Sequence, residues 1–256
     1  LSEYPLQIQS TGIDITSMMM GISEDNTVVS DDDIQVSQMI TKMFSRIGSN
    51  DLVSFRQFLE SGQSDIKKYV KAIDYKYNVV PQIFQADMEH IRQVNPDTSF
   101  RALGLGSANS SNSLMSMAMS TDVFYPLPSD TSLYEHQYDL KAGHWPASYK
   151  ECILVLTPKG SMSDFLLYTL GLRDPNELDQ MITQFSNEEA VTIPSDISAY
   201  SYTDILGRSF KLVNAVDYYV YDEEYKVYRD KSSDDAYMKK LVSEAEDLTI
   251  VGIVQP

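Results

Sequence analysis

The sequence predicts an α+β fold, with helices and strands mixed and no regular βαβ alternation. Three observations carry this expectation. Cys152-Ile153-Leu154-Val155-Leu156 is a continuous apolar run of strand length, rich in β-formers. After the turn signal Pro158-Lys159-Gly160 comes a helix signal with little polar surface: Phe165, Leu166, Leu167, Tyr168 and Leu170, with Ser163 or Asp164 as N-cap and Gly171 as terminator. Residues 248–254 are apolar on both faces, as a strand with neighbours on each side must be. The segment 138–172 is therefore the expected core, reading as turn, strand, turn and helix. Its first turn is Gly143-His144-Trp145-Pro146, where Pro146 fixes its own φ and pushes Trp145 toward extended geometry.

Taken in order, Leu6-Gln7-Ile8-Gln9 reads as a short alternating strand. Residues 13–20 are apolar, a frayed helix or the start of a mobile segment. Residues 24–33 are polar and acidic, and Asp31-Asp32-Asp33 leads into a helix with Val36, Ile40, Met43, Phe44 and Ile47 on one face. Carboxylates suit the positive end of that helix, whereas a calcium loop would need alternate oxygen ligands and a central glycine. Asn50 or Asp51 starts a helix through Leu59, with Leu52, Phe55, Phe58 and Leu59 inward. A short helix follows Ser64. Over 72–79, Ile73, Tyr75, Tyr77 and Val79 alternate with Asp74, Lys76 and Asn78, which predicts a half-buried strand ended by Pro81. Residues 104–121 are biased toward Gly, Ser, Asn and Met and are expected to be a mobile loop or a short strand, in which Met115, Met117 and Met119 could line an adaptable surface. Asp174-Pro175-Asn176-Glu177 has capping-box spacing with proline at the first helical position, and Leu178, Met181, Ile182 and Phe185 continue the helix. Residues 197–202 and 210–215 read as strands. Residues 217–221 and 225–228 read as a hairpin over Asp222-Glu223-Glu224, and Ser233 or Asp234 starts a helix through Ala245.

A chain of 256 residues can bury a substantial core, as one large domain or two lobes. Its hydrophobic share of 43% is a globular value, although the formal charge is −17. That charge argues against nucleic acid and anionic lipid, whose phosphates it would repel, and would suit cationic partners; a solvated acidic surface that keeps the chain soluble is the better account of it. The one cysteine, Cys152, cannot form an internal disulfide and reads as a small buried hydrophobe. No apolar run approaches the ~20 residues that span a bilayer.

No motif carries chemistry. His90, His136 and His144 are not paired at metal-ligand spacing, and one cysteine excludes the usual zinc clusters. Asp87-Met88-Glu89-His90 holds metal-ligand types but reads better as a solvated helix face. The Gly104, Gly106 start of a dinucleotide fingerprint fails at Asn109, and no Walker loop, G-x-S-x-G elbow or H-E-x-x-H is present. No catalytic, cofactor-binding or metal-binding residue is therefore expected. Tyrosines 218, 219, 221, 225 and 228 resemble a sugar- or peptide-binding strip, which cross-strand pairing on a hairpin explains as well.

The segment around 143–172 also carries a resemblance. Gly143, Trp145 and Pro146 form a G-x-W-P turn; Glu151, Leu154, Val155 and Leu156 an E-x-x-L-V-L strand; Ser163, Asp164, Leu167, Tyr168 and Leu170 to Leu172 an S-D-x-x-L-Y-x-L-G-L helix. Tyr75-Lys76-Tyr77, Asp204-Ile205-Leu206-Gly207, Phe210-Lys211-Leu212, Tyr237-Met238-Lys239-Lys240 and Ile250-Val251-Gly252-Ile253-Val254 follow in the expected order. This set resembles the extracytoplasmic, MacB-like core domain of FtsX-like, MacB-type ABC transporter permeases in their long Gram-positive form. The resemblance implies a non-enzymatic extracellular domain of a cell-membrane protein, with two lobes: a small membrane-proximal α/β lobe, approximately 1–90 plus 205–256, and an inserted or stacked lobe, approximately 91–204. It implies flanking transmembrane helices as partners, a separate or fused cytoplasmic ATPase, and a permease dimer. The opening Leu1-Ser2-Glu3-Tyr4-Pro5 then reads as the edge of an excised ectodomain. The implied work is coupling of ATP-driven motion to export or release of a peptide, lipid or antibiotic. A cell-surface peptide- or glycan-binding module and a secreted hydrolase are the alternatives. If the ends join two membrane helices, the strands at 6–9 and 248–254 should belong to one lobe, paired in or near one sheet.

Overall fold

The computed structural model describes residues 6, 8–13, 47–77, 79–87, 89, 91–97, 99–100, 122–195 and 199–256. The helix expected after Asp31-Asp32-Asp33 lies outside the described residues except at Ile47, which belongs to a strand instead of that helix; the readings of 13–20 apart from Ile13, and those of 104–121, also lie outside them. The fold is α+β, as expected, and contacts divide the chain into two units, 1–73 and 74–256.

In the first unit β1 (Thr11–Ile13) pairs antiparallel with β2 (Ile47–Ser49), and Asn50 extends the ladder by donating to Ser10 O. Helix α1 (Leu52–Glu60) begins at Asp51, whose carboxylate accepts the N–H and O–H of Ser54. Those two bonds hold the Asp51 carboxyl below its usual pKa. Leu59 is buried as expected, but Phe55 and Phe58 are exposed. The segment 6–9 expected as a strand is irregular at its described residues, and the first strand starts at Thr11.

The second unit is built on a six-stranded sheet of β3 (Gln82–Gln85), β4 (Gln93–Asn95), β5 (Asp139–Gly143), β6 (Glu151–Val155), β7 (Ser209–Val213) and the long β10 (Glu246–Gln255). Along the path β4-β3-β7-β10-β5 every pairing is antiparallel, while β6 runs parallel to β10. One edge of β10 is shared: Glu246 to Thr249 pair with β7, and Gly252 to Gln255 pair with β5. β6 takes the opposite edge, so the final strand is the hub.

The handover on β10 happens at Val251. His144 N donates to Val251 O at 2.9 Å, and Gly207 N donates to Ile250 O. A Cβ on Gly143 would lie 2.0 Å from Val251 O, and one on Gly252 would lie 2.3 Å from His144 O. Gly143 also has φ +75°, so glycine is required there twice over.

Alternation along the strands divides the core between the two sheet faces. Ile83, Phe210, Leu248, Ile250 and Ile253 pack with Leu154, Leu156, Leu170 and Ile205. Phe84 and Val213 face Met238 and Val242 of α5 (Asp235–Glu244). Helices α2 (Phe165–Thr169) and α3 (Pro175–Ser186) join through Tyr168, Leu178 and Ile182. Helix α2 ends as expected at Gly171 (φ +65°), with Leu172 N donating to Leu167 O and Gly171 N to Tyr168 O, the paired closure of a Schellman motif. Asp174 caps α3 through Asn176 N, while Glu177 binds Arg173 instead of closing a capping box.

Two expected strands are corrected. Residues 72–77 and 79 are irregular, with Tyr77 and Val79 exposed, because the neighbouring apolar pair Ile83 and Phe84 takes the place beside β7. Residues 199–201 are irregular and lead into the single turn α4 (Tyr202–Ile205), since the Asp204 carboxylate takes both the N–H and the O–H of Ser201. β4, β5 and β6 join β3 and β10 in one sheet within the second unit, and the division into units falls at 73/74. Among the described residues the strand partners of β10 are β5, β6 and β7.

Candidate functional site

Two surface features of the second unit bear on function. The first is a groove of about 890 Å³ between the end of β3, the start of β7 and the junction of α2 and α3. Three arginines reach it, an unusual concentration in so acidic a chain. Each is already engaged in holding elements together. Arg92 makes a two-pronged ion pair with Asp179 at 2.8 and 2.9 Å and donates to Ser99 Oγ. Arg173 binds Glu177 at 2.8 Å. Arg208 donates to Asp204 O at 2.6 Å and to Leu170 O at 3.0 Å, placing its charge where the carbonyls of α2 end. Buried Gln85 donates to Tyr168 O and Thr169 O. Arg92 and Arg208 tie α3 and α2 to the sheet across this groove, while Arg173 pairs locally with Glu177 at the start of α3.

The second feature is the hairpin of β8 (Tyr219–Asp222) and β9 (Val227–Asp230), which forms a separate two-stranded sheet. It begins two residues later than expected, after a 3₁₀ turn at Ala215–Tyr218. Asp222 shapes its tip by accepting the N–H groups of Glu224 and Tyr225, and Lys226 closes it with φ +53°. The register sorts the side chains. Tyr219 lies opposite Asp230 and Tyr221 opposite Tyr228, so these four share one face; Val220, Asp222, Val227 and Arg229 share the other.

Of the five tyrosines named from the sequence, Tyr218 does not belong to the strip. It packs against the cluster of Phe84, Val213, Met238 and Val242, and burial pushes its hydroxyl pKa up to about 12. Tyr219, Tyr221 and Tyr228 are 49%, 44% and 71% exposed and form a continuous aromatic face, with the Tyr221 and Tyr228 rings 5.1 Å apart. Tyr225 lies toward the other side, where the Arg229 guanidinium sits 5.1 Å from its ring centre and is also paired with Asp222. Strict period-two counting from Tyr219 would have separated Tyr218 from the strip in the sequence.

The remaining candidates are dispersed. His136 and His144 are exposed, each with Nδ1 against a backbone carbonyl, of Ser132 and Trp145 respectively. Asp87 lines the groove and accepts the N–H of Glu89; residues 88 and 90 lie outside the described set. Among the described residues no three His, Cys, Asp or Glu side chains are grouped to hold a metal ion, and no helix is long and apolar enough to cross a membrane. Cys152 packs at the margin of the main core, and burial raises its thiol pKa to about 12. Trp145 is half-buried with its ring 5.1 Å from that of Tyr134.

Comparisons with protein-family models, with curated proteins and with solved structures found no match to this chain.

Proposed function

We propose that the chain is the extracellular domain of an FtsX-like, MacB-type ABC transporter permease, transmitting movement between flanking membrane helices and the outer face of the membrane. One observation supports this reading above others: the separated segments that carry the resemblance pack on one another. The Gly143-His144-Trp145-Pro146 turn crosses β10 at Val251, Gly207 bonds to Ile250, Phe210-Lys211-Leu212 pairs with the start of β10, and Met238 seats α5 on β7. A set of weak motifs that converges on one hub strand behaves as one functional unit.

In this reading β10 conveys load. It is hydrogen-bonded along both edges, so a displacement of its end is shared by β5, β6 and β7 and moves the sheet as a body. The transported substrate would be a peptide, lipid or antibiotic, and ATP hydrolysis would occur on a cytoplasmic subunit or a fused domain. The exposed tyrosine face favours a second reading, a cell-surface module that binds peptide or glycan without transport.

The test uses the whole protein in its own cells. Lys159 is exposed in the turn after β6, and Cys152 is poorly reactive for the reason given above. Lys159→Cys should therefore react with a membrane-impermeant maleimide on intact cells, while the parent does not. Reaction only after permeabilisation overturns an extracellular placement. Co-purification of an ATPase with the solubilised protein then separates the permease from the binding module.

A further inference from the structure

We propose that the β8–β9 hairpin docks an extended, arginine- or lysine-rich peptide segment, which adds to it as a third strand beside the tyrosine face. This inference does not rest on the transporter reading and holds for either placement of the protein.

The argument begins with what the hairpin lacks. A two-stranded ribbon alone is marginal in water. This one is exposed on both faces, and neither outer edge pairs with another strand among the described residues. It is nevertheless a seated platform. Tyr218 is packed in the core, Lys231 N donates to Tyr218 O at 2.7 Å, and the Tyr237 hydroxyl donates to Asp217 O at 2.7 Å. An incoming extended segment would find backbone donors and acceptors along an edge, and side chains of alternate residues would land on the tyrosine face.

Charge selects the occupant. Between 217 and 235 the sequence places seven carboxylates against three cations, in a chain of net charge −17. A second copy of the chain, or nucleic acid, would bring like charge to this surface; a basic peptide brings the complement. Asp230 stands on the tyrosine face itself, and hydrogen bonds from the Ser232 side chain and backbone hold its carboxyl below the usual range, keeping it ionised. The protein also supplies an internal example of the recognition. Arg229 is held between the Asp222 carboxylate and the Tyr225 ring. Tyr219 opposite Asp230 places a ring and a carboxylate together on one exposed face.

The probe is a short fluorescent peptide of alternating arginine and valine, titrated with the 256-residue chain and followed by anisotropy. Saturable binding is expected, weakening as salt rises from about 50 to about 300 mM because screening shortens the reach of the carboxylates. The same peptide N-methylated at every residue should bind about tenfold more weakly, as it cannot donate to a strand ladder in either direction, and so should the parent peptide with Tyr219→Ser. Wild-type protein gives a readout that needs no variant: amide exchange at 219–222 and 227–230 should slow on binding. Absence of saturable binding overturns the proposal. So does binding that is unaffected by N-methylation, or that leaves hairpin exchange unchanged, since either means diffuse attraction to an acidic surface.

Discussion

Replacing Gly143 with alanine tests the crossing on which the second unit depends. The added methyl would sit 2.0 Å from Val251 O and 3.0 Å from Gly252 Cα, both of them backbone atoms that no rotamer change can clear. Relief requires the turn to lift away from β10, and lifting breaks the 2.9 Å bond from His144 N to Val251 O. Alanine at φ +75° costs about 1–2 kcal/mol by itself. Losing a bond and leaving a desolvated carbonyl adds about 1–3 kcal/mol. The expected destabilisation is therefore about 2–5 kcal/mol, or about 5–15 °C in Tm for a domain of this size. Gly207→Ala is the internal reference: its φ is +82°, but nothing lies within 4 Å of the new methyl. It should cost only the backbone term, and the gain from stiffening the unfolded chain applies to both variants and cancels. The assay is urea unfolding of both variants against the parent. Equal losses, within about 0.5 kcal/mol, would refute the close crossing.

Ile253 has no exposed surface, so Ile253→Ala should cost about 2–5 kcal/mol by urea unfolding, and a loss below about 1 would remove it from the core. Trp145→Ala should cost less than truncation of a fully buried tryptophan, about 1–3 kcal/mol, because its ring is half-exposed and rests on Tyr134; an unchanged Tm would show that the pairing contributes nothing. Cys152 should resist maleimide at pH 8 and react rapidly in denaturant, as a thiol whose pKa is near 12 is almost wholly protonated; fast native labelling would contradict its burial. Asp234, which caps α5 through Tyr237 N, has its folded pKa lowered first by that bond, then by Lys231. Its contribution is therefore present above the ordinary value of 3.8 and is lost as pH falls through the lower folded value. Asp234→Asn should flatten part of the acid loss of Tm, and a parallel decline in both proteins would show that the cap does not titrate with folding.

What was legible in the sequence was local chemistry. Asp174 was readable as a cap, and Asp51, Asp164 and Asp234 each as one of two neighbouring candidates, because a polar side chain before an apolar period satisfies N–H groups within three residues. β10 was readable because a strand buried on both faces is continuously apolar, and β6 was readable from its apolar run, although Val155 at its end is exposed. β3, β4 and β5 were not, because their strand character is imposed by partners distant in sequence. Gln85 is buried at the end of β3 because its amide serves two carbonyls of α2, and Asn95 in β4 donates to Pro81 O. Neither use shows in a hydrophobic pattern. The 72–79 alternation failed for the converse reason, being a strand pattern whose place at the sheet is filled by 82–85. Likewise the tyrosine strip was visible as composition, but its membership depended on register.

Register also separates the structural and recognition roles of those tyrosines. Tyr221 and Tyr228 lie directly opposite, and a cross-strand aromatic pair contributes about 0.2–1 kcal/mol to a ribbon that has little else to hold it. Arg229, bound to Asp222 and lying over Tyr225, performs similar work on the other face and at the turn. Truncating any of these would loosen the platform and weaken docking together, so the two effects would be confounded. Tyr219 is different: the residue opposite it is Asp230, which gives its ring no aromatic partner across the ladder. It nonetheless remains 49% exposed at the anchored end of the strand, next to a carboxylate held ionised. A ring kept in water beside a fixed anion adds little to a hairpin and is well placed to receive a cation. Loss of binding with an unchanged melting curve at Tyr219 therefore reads as recognition, whereas loss of binding at Tyr228 together with a loosened hairpin would not.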